Sequence, residues 1–196
     1  MADIKSAWEI AQEKAARLGE ATEAERRQWR YVPQGERLAA RYLKESINLL
    51  GELSRYPEDG RQHVVAGATA VLAGNINLPQ SDAIRKTNKK VMDGLKILKE
   101  DKVAVENVLS RIRSLFAHYA EQGELQRQQT YQSLKAEFEA RVQQEVQQQL
   151  GLPAAAGIDV ERLPQFQQEW LKVRGQLEAQ YLTHLREYRQ QLSGIP

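Results

Sequence analysis

The side chains able to do chemistry are few in this chain. There are three histidines, His63, His118 and His184, and no cysteine. His118 and His184 each precede a glutamate by three residues, as His118-Tyr119-Ala120-Glu121 and His184-Leu185-Arg186-Glu187. On a helix that interval puts imidazole and carboxylate on one face, where the two could share a metal ion. Di-iron bundles use the opposite order, Glu-x-x-His, with further glutamates facing the pair. None of the three histidines follows a glutamate at that interval. A metal-binding helical bundle using His118, Glu121, His184 and Glu187 is therefore the second alternative, behind a plain hydrogen-bonded or surface pair on each helix.

Other catalytic patterns are missing from the sequence. Without cysteine there are no disulfides, thiolate nucleophiles or cysteine-held metals. No G-x-S-x-G elbow, G-x-x-x-x-G-K-[ST] loop or G-x-G-x-x-G turn occurs, so nucleophilic catalysis and phosphate cradling lack their usual scaffolds. Neighbouring carboxylates such as Glu23 and Glu25, or Glu58 and Asp59, read as helix N-terminal charge. The expectation is a non-enzymatic protein without a cofactor.

A basic run gives the first alternative. Arg85, Lys86, Lys89, Lys90, Lys96 and Lys99, with Lys102, stand against Asp93, Glu100 and Asp101, seven charges against three. Such a helix could touch several phosphates and make the chain nucleic-acid-associated. No aromatic is interleaved and no helix-turn-helix pattern accompanies it, so a solvated helix face is the plainer reading. Asn88 falls on the apolar stripe of the same helix and reads as part of an exposed first turn.

Positioning these groups falls to helices. The charge is nearly balanced at +2, aromatics are 7% and charged residues 28%, which suits thin bundles and supplies no global field for nucleic acid or membrane. Ile4, Trp8, Ala11, Ala15 and Leu18 step by heptad intervals to Gly19, a first helix with a narrow seam. Thr22 and Glu25 form a capping box opening a short charged helix that Pro33 is expected to end. A third helix is expected from about Gly35 to Arg55, with Leu38, Tyr42, Ser46, Leu49 and Leu53 on one face and Ile47 and Leu50 widening it. Glu58 or Asp59 is expected to cap the next helix. Its stretch from His63 to Gly74 is the most apolar in the chain and too short to span a bilayer, so it reads as a buried central helix. Ser81 or Asp82 caps the basic helix, a break is expected near Glu100-Asp101, and Gly123 marks another weak point. Gly94 and Gly175, inside helical patterns, each mark a close crossing or a kink.

The last third of the chain is the clearest. Residues 122 to 191 hold 17 of the 22 glutamines. Apolar residues recur among them every third or fourth position on both sides of Gly151-Leu152-Pro153-Ala154-Ala155-Ala156-Gly157. Tyr131, Leu134, Phe138, Val142 and Val146 face one way on the outgoing helix. Phe166, Trp170, Val173, Leu177 and Tyr181 do so on the returning one. Two helices, each roughly 40 Å long at about 1.5 Å per residue, match as an antiparallel hairpin. Its narrow stripe needs cover from the body or from a second copy.

The expected fold is all-α, an N-terminal multi-helix bundle over residues 1–122 followed by a long amphipathic hairpin over 123–196. The leading functional expectation is a helical scaffold or protein-interaction protein, homo-oligomeric through the ten hairpin residues just named. With no signal-peptide pattern and no long apolar run, a cytoplasmic protein without membrane insertion is expected.

Overall fold

The computed structural model describes residues 21–45, 47–150 and 159–196, together with Trp8 and Gln12. Apart from Trp8, the expected first helix seam lies outside the described residues, as do Ser46 and the 151–157 loop. Every regular element among the described residues is helical: α1 Glu23–Lys44, α2 Leu49–Leu53, α3 Glu58–Gly74, α4 Asp82–Leu98, α5 Lys102–Ala120, α6 Gln122–Leu150, a 3-10 turn Val160–Arg162 and α7 Pro164–Gly194. The expected all-α fold with a terminal hairpin is what forms. The chain gathers into two compact units, neither continuous in sequence. The first is drawn from Met1–Ile76, Arg85–Glu106 and Arg189–Pro196, the second from Asn77–Ile84 and Asn107–Tyr188.

In the first unit, α1 opens on the expected capping box: the Thr22 backbone N–H donates to Glu25 Oε2 at 2.8 Å and the Glu25 N–H to Thr22 Oγ1 at 3.3 Å. Pro33 does not end it. Proline removes one intrahelical hydrogen bond, that to the Trp29 carbonyl, and costs about 3 kcal/mol in a helix interior, but the turns around it are pinned against α3. A Cβ on Gly35 would lie 2.0 Å from the Val64 carbonyl oxygen, and one on Gly67 would lie 2.2 Å from that of Val32. Two backbones in contact at two glycines outweigh the proline. The pairing of Gly35 with Val64 and of Tyr31 with Gly60 also sets the direction: α1 and α3 run parallel, and residues 45–57 form the return between them.

That return corrects the expected third helix. Asn48 Oδ1 accepts from the Gly51 N–H at 3.1 Å, starting a new short helix where an unbroken one was expected. Leu38, Tyr42, Leu49 and Leu53 are buried as the pattern implied, whereas Leu50 is 65% exposed. Residue 57, a proline, holds the N-cap of α3, and neither Glu58 nor Asp59 caps it. Val64, Ala68, Leu72 and Ala73 make α3 the buried central helix. Ser81 Oγ accepts from the Ile84 N–H at 3.3 Å to start α4. Gly94 is a close crossing, since a Cβ there would meet the Tyr42 ring at 2.8 Å and Leu72 at 2.9 Å. Asn88 is only 3% exposed, which overturns the expected exposed first turn: the apolar stripe carries it inward.

In the second unit, α5 and α6 are nearly one bent helix. The Glu121 N–H donates to the Ala117 carbonyl at 3.0 Å and the Leu125 N–H to that of Glu121 at 3.2 Å, so helical bonding carries through the bend. Gly123 lets Tyr181 of α7 lie against it, with room for a Cβ only 3.0 Å from the Tyr181 hydroxyl. Gly175, by contrast, faces open space and marks no close crossing.

Candidate functional site

The hairpin is zipped by aromatic edges. Tyr131 meets Phe166 and Trp170 edge-on, at centroid distances of 5.5 and 5.0 Å, and Phe138 meets Phe166 at 5.3 Å. Each such pair contributes about 0.5–1.5 kcal/mol beyond the area it buries. Phe138, Val160 and Phe166 form the buried centre, with Tyr131, Leu134, Val142 and Leu163 packed around it. Lys135 Nζ clamps the return turn through Glu161 Oε1 at 2.8 Å. The same hydrogen bond holds the Glu161 carboxyl below its usual range and lifts the Lys135 ammonium above its own.

The register differs from the matched ends expected of the two arms. Phe166 sits on Phe138, and Tyr181 sits at Gly123. Residues 141–150 of α6 thus extend past the start of α7, while α7 runs on beyond the bend to reach α5. The physical reason is the Val160–Arg162 turn, whose buried Val160 takes a place on Phe138 that a longer return helix would have filled.

Beside the bend lies a polar cluster with no sequence signal. Glu178 is 9% exposed and accepts from the Tyr119 hydroxyl at 3.0 Å and from Gln80 Nε2 at 3.2 Å. Burial pushes the Tyr119 phenol above its usual range, and the hydrogen bond to Glu178 adds to the rise. The Arg127 guanidinium lies over the Tyr119 ring at 4.2 Å and donates to the Tyr119 carbonyl at 3.3 Å. A charge buried in this way is held because every neighbour is a donor. Glu178 and Gln80 escaped sequence reading, since neither falls on an apolar stripe and 98 residues separate them.

The histidine pair is partly assembled. His118 and His184 line one cleft of about 380 Å³ with Leu115, Gln126, Leu177 and Tyr181. His118 Nδ1 is 2.9 Å from the Tyr181 hydroxyl, and His184 Nδ1 is 3.5 Å from Glu187 Oε2. Glu121 is exposed at the bend. Among the described residues no group of three or more His, Asp or Glu side chains is placed to hold a metal ion, so the four residues do not converge.

The basic helix does not present its charges as one open face. Lys90 Nζ donates to the carbonyls of Leu43 and Glu45, at 3.2 and 3.0 Å, closing the end of α1. Lys96 is paired with Glu106 at 2.7 Å. Lys99 is buried, donates to the Ile195 carbonyl, and has its pKa lowered by that burial. Lys102 satisfies the last carbonyls of α4. Arg85, Lys86 and Lys89 remain exposed. Lysines near helix ends are consumed by carbonyls, which charge counting cannot foresee.

Family comparison adds one result to this geometry. The chain belongs to the DUF6657 family. That family is described as one of unknown function, and the match covers residues 50–194, from α2 to the last turn of α7, with α1 preceding it. Neither the comparison with curated proteins nor that with solved structures yields a match.

Proposed function

We propose that this protein is a non-enzymatic helical scaffold whose working part is the α6–α7 hairpin, and that it self-associates through that hairpin in the cytoplasm. One observation carries the reading. Of the ten expected face residues only Phe138 and Phe166 are fully buried within the chain. Tyr131, Leu134, Val142, Val146, Trp170, Val173, Leu177 and Tyr181 keep part of their surface open. A stripe half covered by its own partner helix is the situation in which a second copy lowers the free energy, because apolar area still in water is worth about 25 cal/mol per Å² when removed from it.

The groups that could argue for chemistry have structural partners instead. His118 is engaged by Tyr181, Glu178 by Tyr119 and Gln80, and His184 by Glu187. No described helix is long and apolar enough to cross a membrane. The nucleic-acid reading through Arg85 to Lys102 is the weaker one, because Lys90, Lys96 and Lys99 are engaged within the protein.

Light scattering on the full chain and on a Val146→Asp variant tests this. Val146 is partly exposed and lies outside the buried centre of the hairpin, on the segment of α6 that extends past the start of α7, so the charge disturbs a shared surface before it disturbs the fold. The wild type is expected at a multiple of 22.4 kDa and the variant at that mass itself, with unchanged helical circular dichroism. A wild type at the single-chain mass at all concentrations would refute the proposal.

A further inference from the structure

Because Pro33 does not break α1, its arginines share one face. Arg26, Arg30, Arg37, Arg41 and Lys44 fall within about 60° of arc and along about 27 Å of helix, at 100° and 1.5 Å per residue. The helix carries six basic residues, Arg26, Arg27, Arg30, Arg37, Arg41 and Lys44, against three acidic ones, Glu23, Glu25 and Glu36. Arg41 is loosely paired, with Glu52 at 3.5 Å and Glu45 at 3.7 Å. Arg30 and Arg37 are exposed and make no ion pair among the described residues.

An aromatic platform stands in the same place. Trp29 is 49% exposed. With Tyr56 and Pro33 it lines a cleft of about 520 Å³ whose other walls include Arg30, Arg37 and Arg41. A half-exposed indole offers a face on which a base can stack, and guanidiniums without a carboxylate partner, as those of Arg30 and Arg37 are among the described residues, are suited to phosphate. At about 1.5 Å per residue, Arg26 and Arg30 stand about 6 Å apart along the axis, as do Arg37 and Arg41. That is comparable with successive phosphates on an extended strand. A row of cations beside an aromatic face is the arrangement by which proteins hold unpaired strands without reading sequence.

We propose that the α1 face binds single-stranded nucleic acid, with Arg30, Arg37 and Arg41 on phosphates of one strand, Arg37 and Arg41 on adjacent ones, and a base stacked on Trp29. The strand runs along the helix, and no base edge is read. This activity is separate from self-association through the hairpin, and failure of either leaves the other standing.

Fluorescence anisotropy of a short labelled oligothymidine and an oligouridine, titrated with the full chain, tests it. Engagement of about three phosphates at about 0.7 per contact gives a log–log salt slope near −2.1, roughly a 20-fold weakening from about 50 to 200 mM salt. Arg30→Ala/Arg37→Ala is expected to flatten that slope by about 1.4, Arg30→Lys/Arg37→Lys to keep it, and Trp29→Leu to weaken binding with the slope unchanged. Both arginines are exposed and alanine favours helix, so a folded variant is expected, with circular dichroism as the check. Lys86→Ala/Lys89→Ala should bind as wild type does. Four results would overturn the proposal: no anisotropy change at low salt, undiminished binding by Arg30→Ala/Arg37→Ala, equal binding of duplex and strand, or uptake of phosphatidylglycerol vesicles in place of oligonucleotide.

Discussion

Replacing glycine by alanine inside a helix normally stabilises it by up to about 1 kcal/mol, and this chain offers a case where the same change must do the opposite. At Gly35 the added Cβ would lie 2.0 Å from the Val64 carbonyl oxygen, 2.8 Å from its carbon and 2.9 Å from the Ala68 nitrogen. All three are backbone atoms, so no side chain can swing away. Relief requires α1 and α3 to part by about 1 Å along the whole crossing, which loosens Leu38, Ala39, Val64 and Ala68, each no more than 2% exposed. Overpacking of this kind costs about 1–3 kcal/mol and sometimes more, and a clash with backbone belongs at the upper end. After the gain in helix propensity, Gly35→Ala is expected to destabilise by about 2 kcal/mol. Gly175→Ala, where the new methyl meets nothing within 4 Å, is expected to stabilise by up to about 1 kcal/mol. Urea unfolding followed by circular dichroism, with the two variants beside wild type, measures both. A Gly35→Ala midpoint at or above wild type would refute the parallel, backbone-close packing of α1 on α3.

Other expectations follow from the second unit. Glu178→Ala strips the Tyr119 hydroxyl and the Gln80 amide of their acceptor and should cost about 1–3 kcal/mol in the same unfolding assay. Because burial and Glu178 raise the Tyr119 pKa, the folded state keeps this phenol neutral where the unfolded chain ionises it. Its stabilising contribution is therefore complete below the ordinary value of 10.0 and is lost as pH rises through the folded value. Tyr119→Phe should lose less stability than wild type between pH 8 and pH 11, measured as the shift in urea midpoint. Phe166→Ala, which empties the fully buried side chain at the centre of the hairpin, should cost about 3–5 kcal/mol and abolish the edge contacts to Tyr131 and Phe138.

Much of the helical architecture was legible in the sequence because apolar spacing is a direct consequence of helix geometry. The stripe Val91, Leu95, Leu98 in α4 and the hairpin faces are where that spacing puts them. The misplacements came from long-range contacts. Pro33 reads locally as a stop, and only the Gly35–Gly67 seam with α3 explains why the helix passes through it. A helix broken at Pro33 would split the arginine row of α1, whose common face exists only along the continuous helix. Glu178 is buried by partners distant in sequence, Tyr119 and Gln80, and Asn88 is buried on the apolar stripe of its own helix, so polarity alone marks neither as inward. Charge counting makes a patch of the α4 lysines, whereas in the fold Lys90, Lys96 and Lys99 find carbonyls, a carboxylate and burial. Histidine spacing correctly put His184 beside Glu187, but convergence with His118 and Glu121 depended on the bend at Gly123.

Self-association through the α6–α7 face is tested most directly by placing one nitroxide on it. The chain contains no cysteine, so Val146→Cys can be labelled at that position alone and examined by pulsed dipolar spectroscopy. A dipolar modulation between labels on two copies, which fades when labelled chain is mixed with excess unlabelled chain, is the predicted result. Absence of any modulation, at concentrations where the unlabelled protein has a multiple of its single-chain mass, would show that copies meet elsewhere and contradict the account.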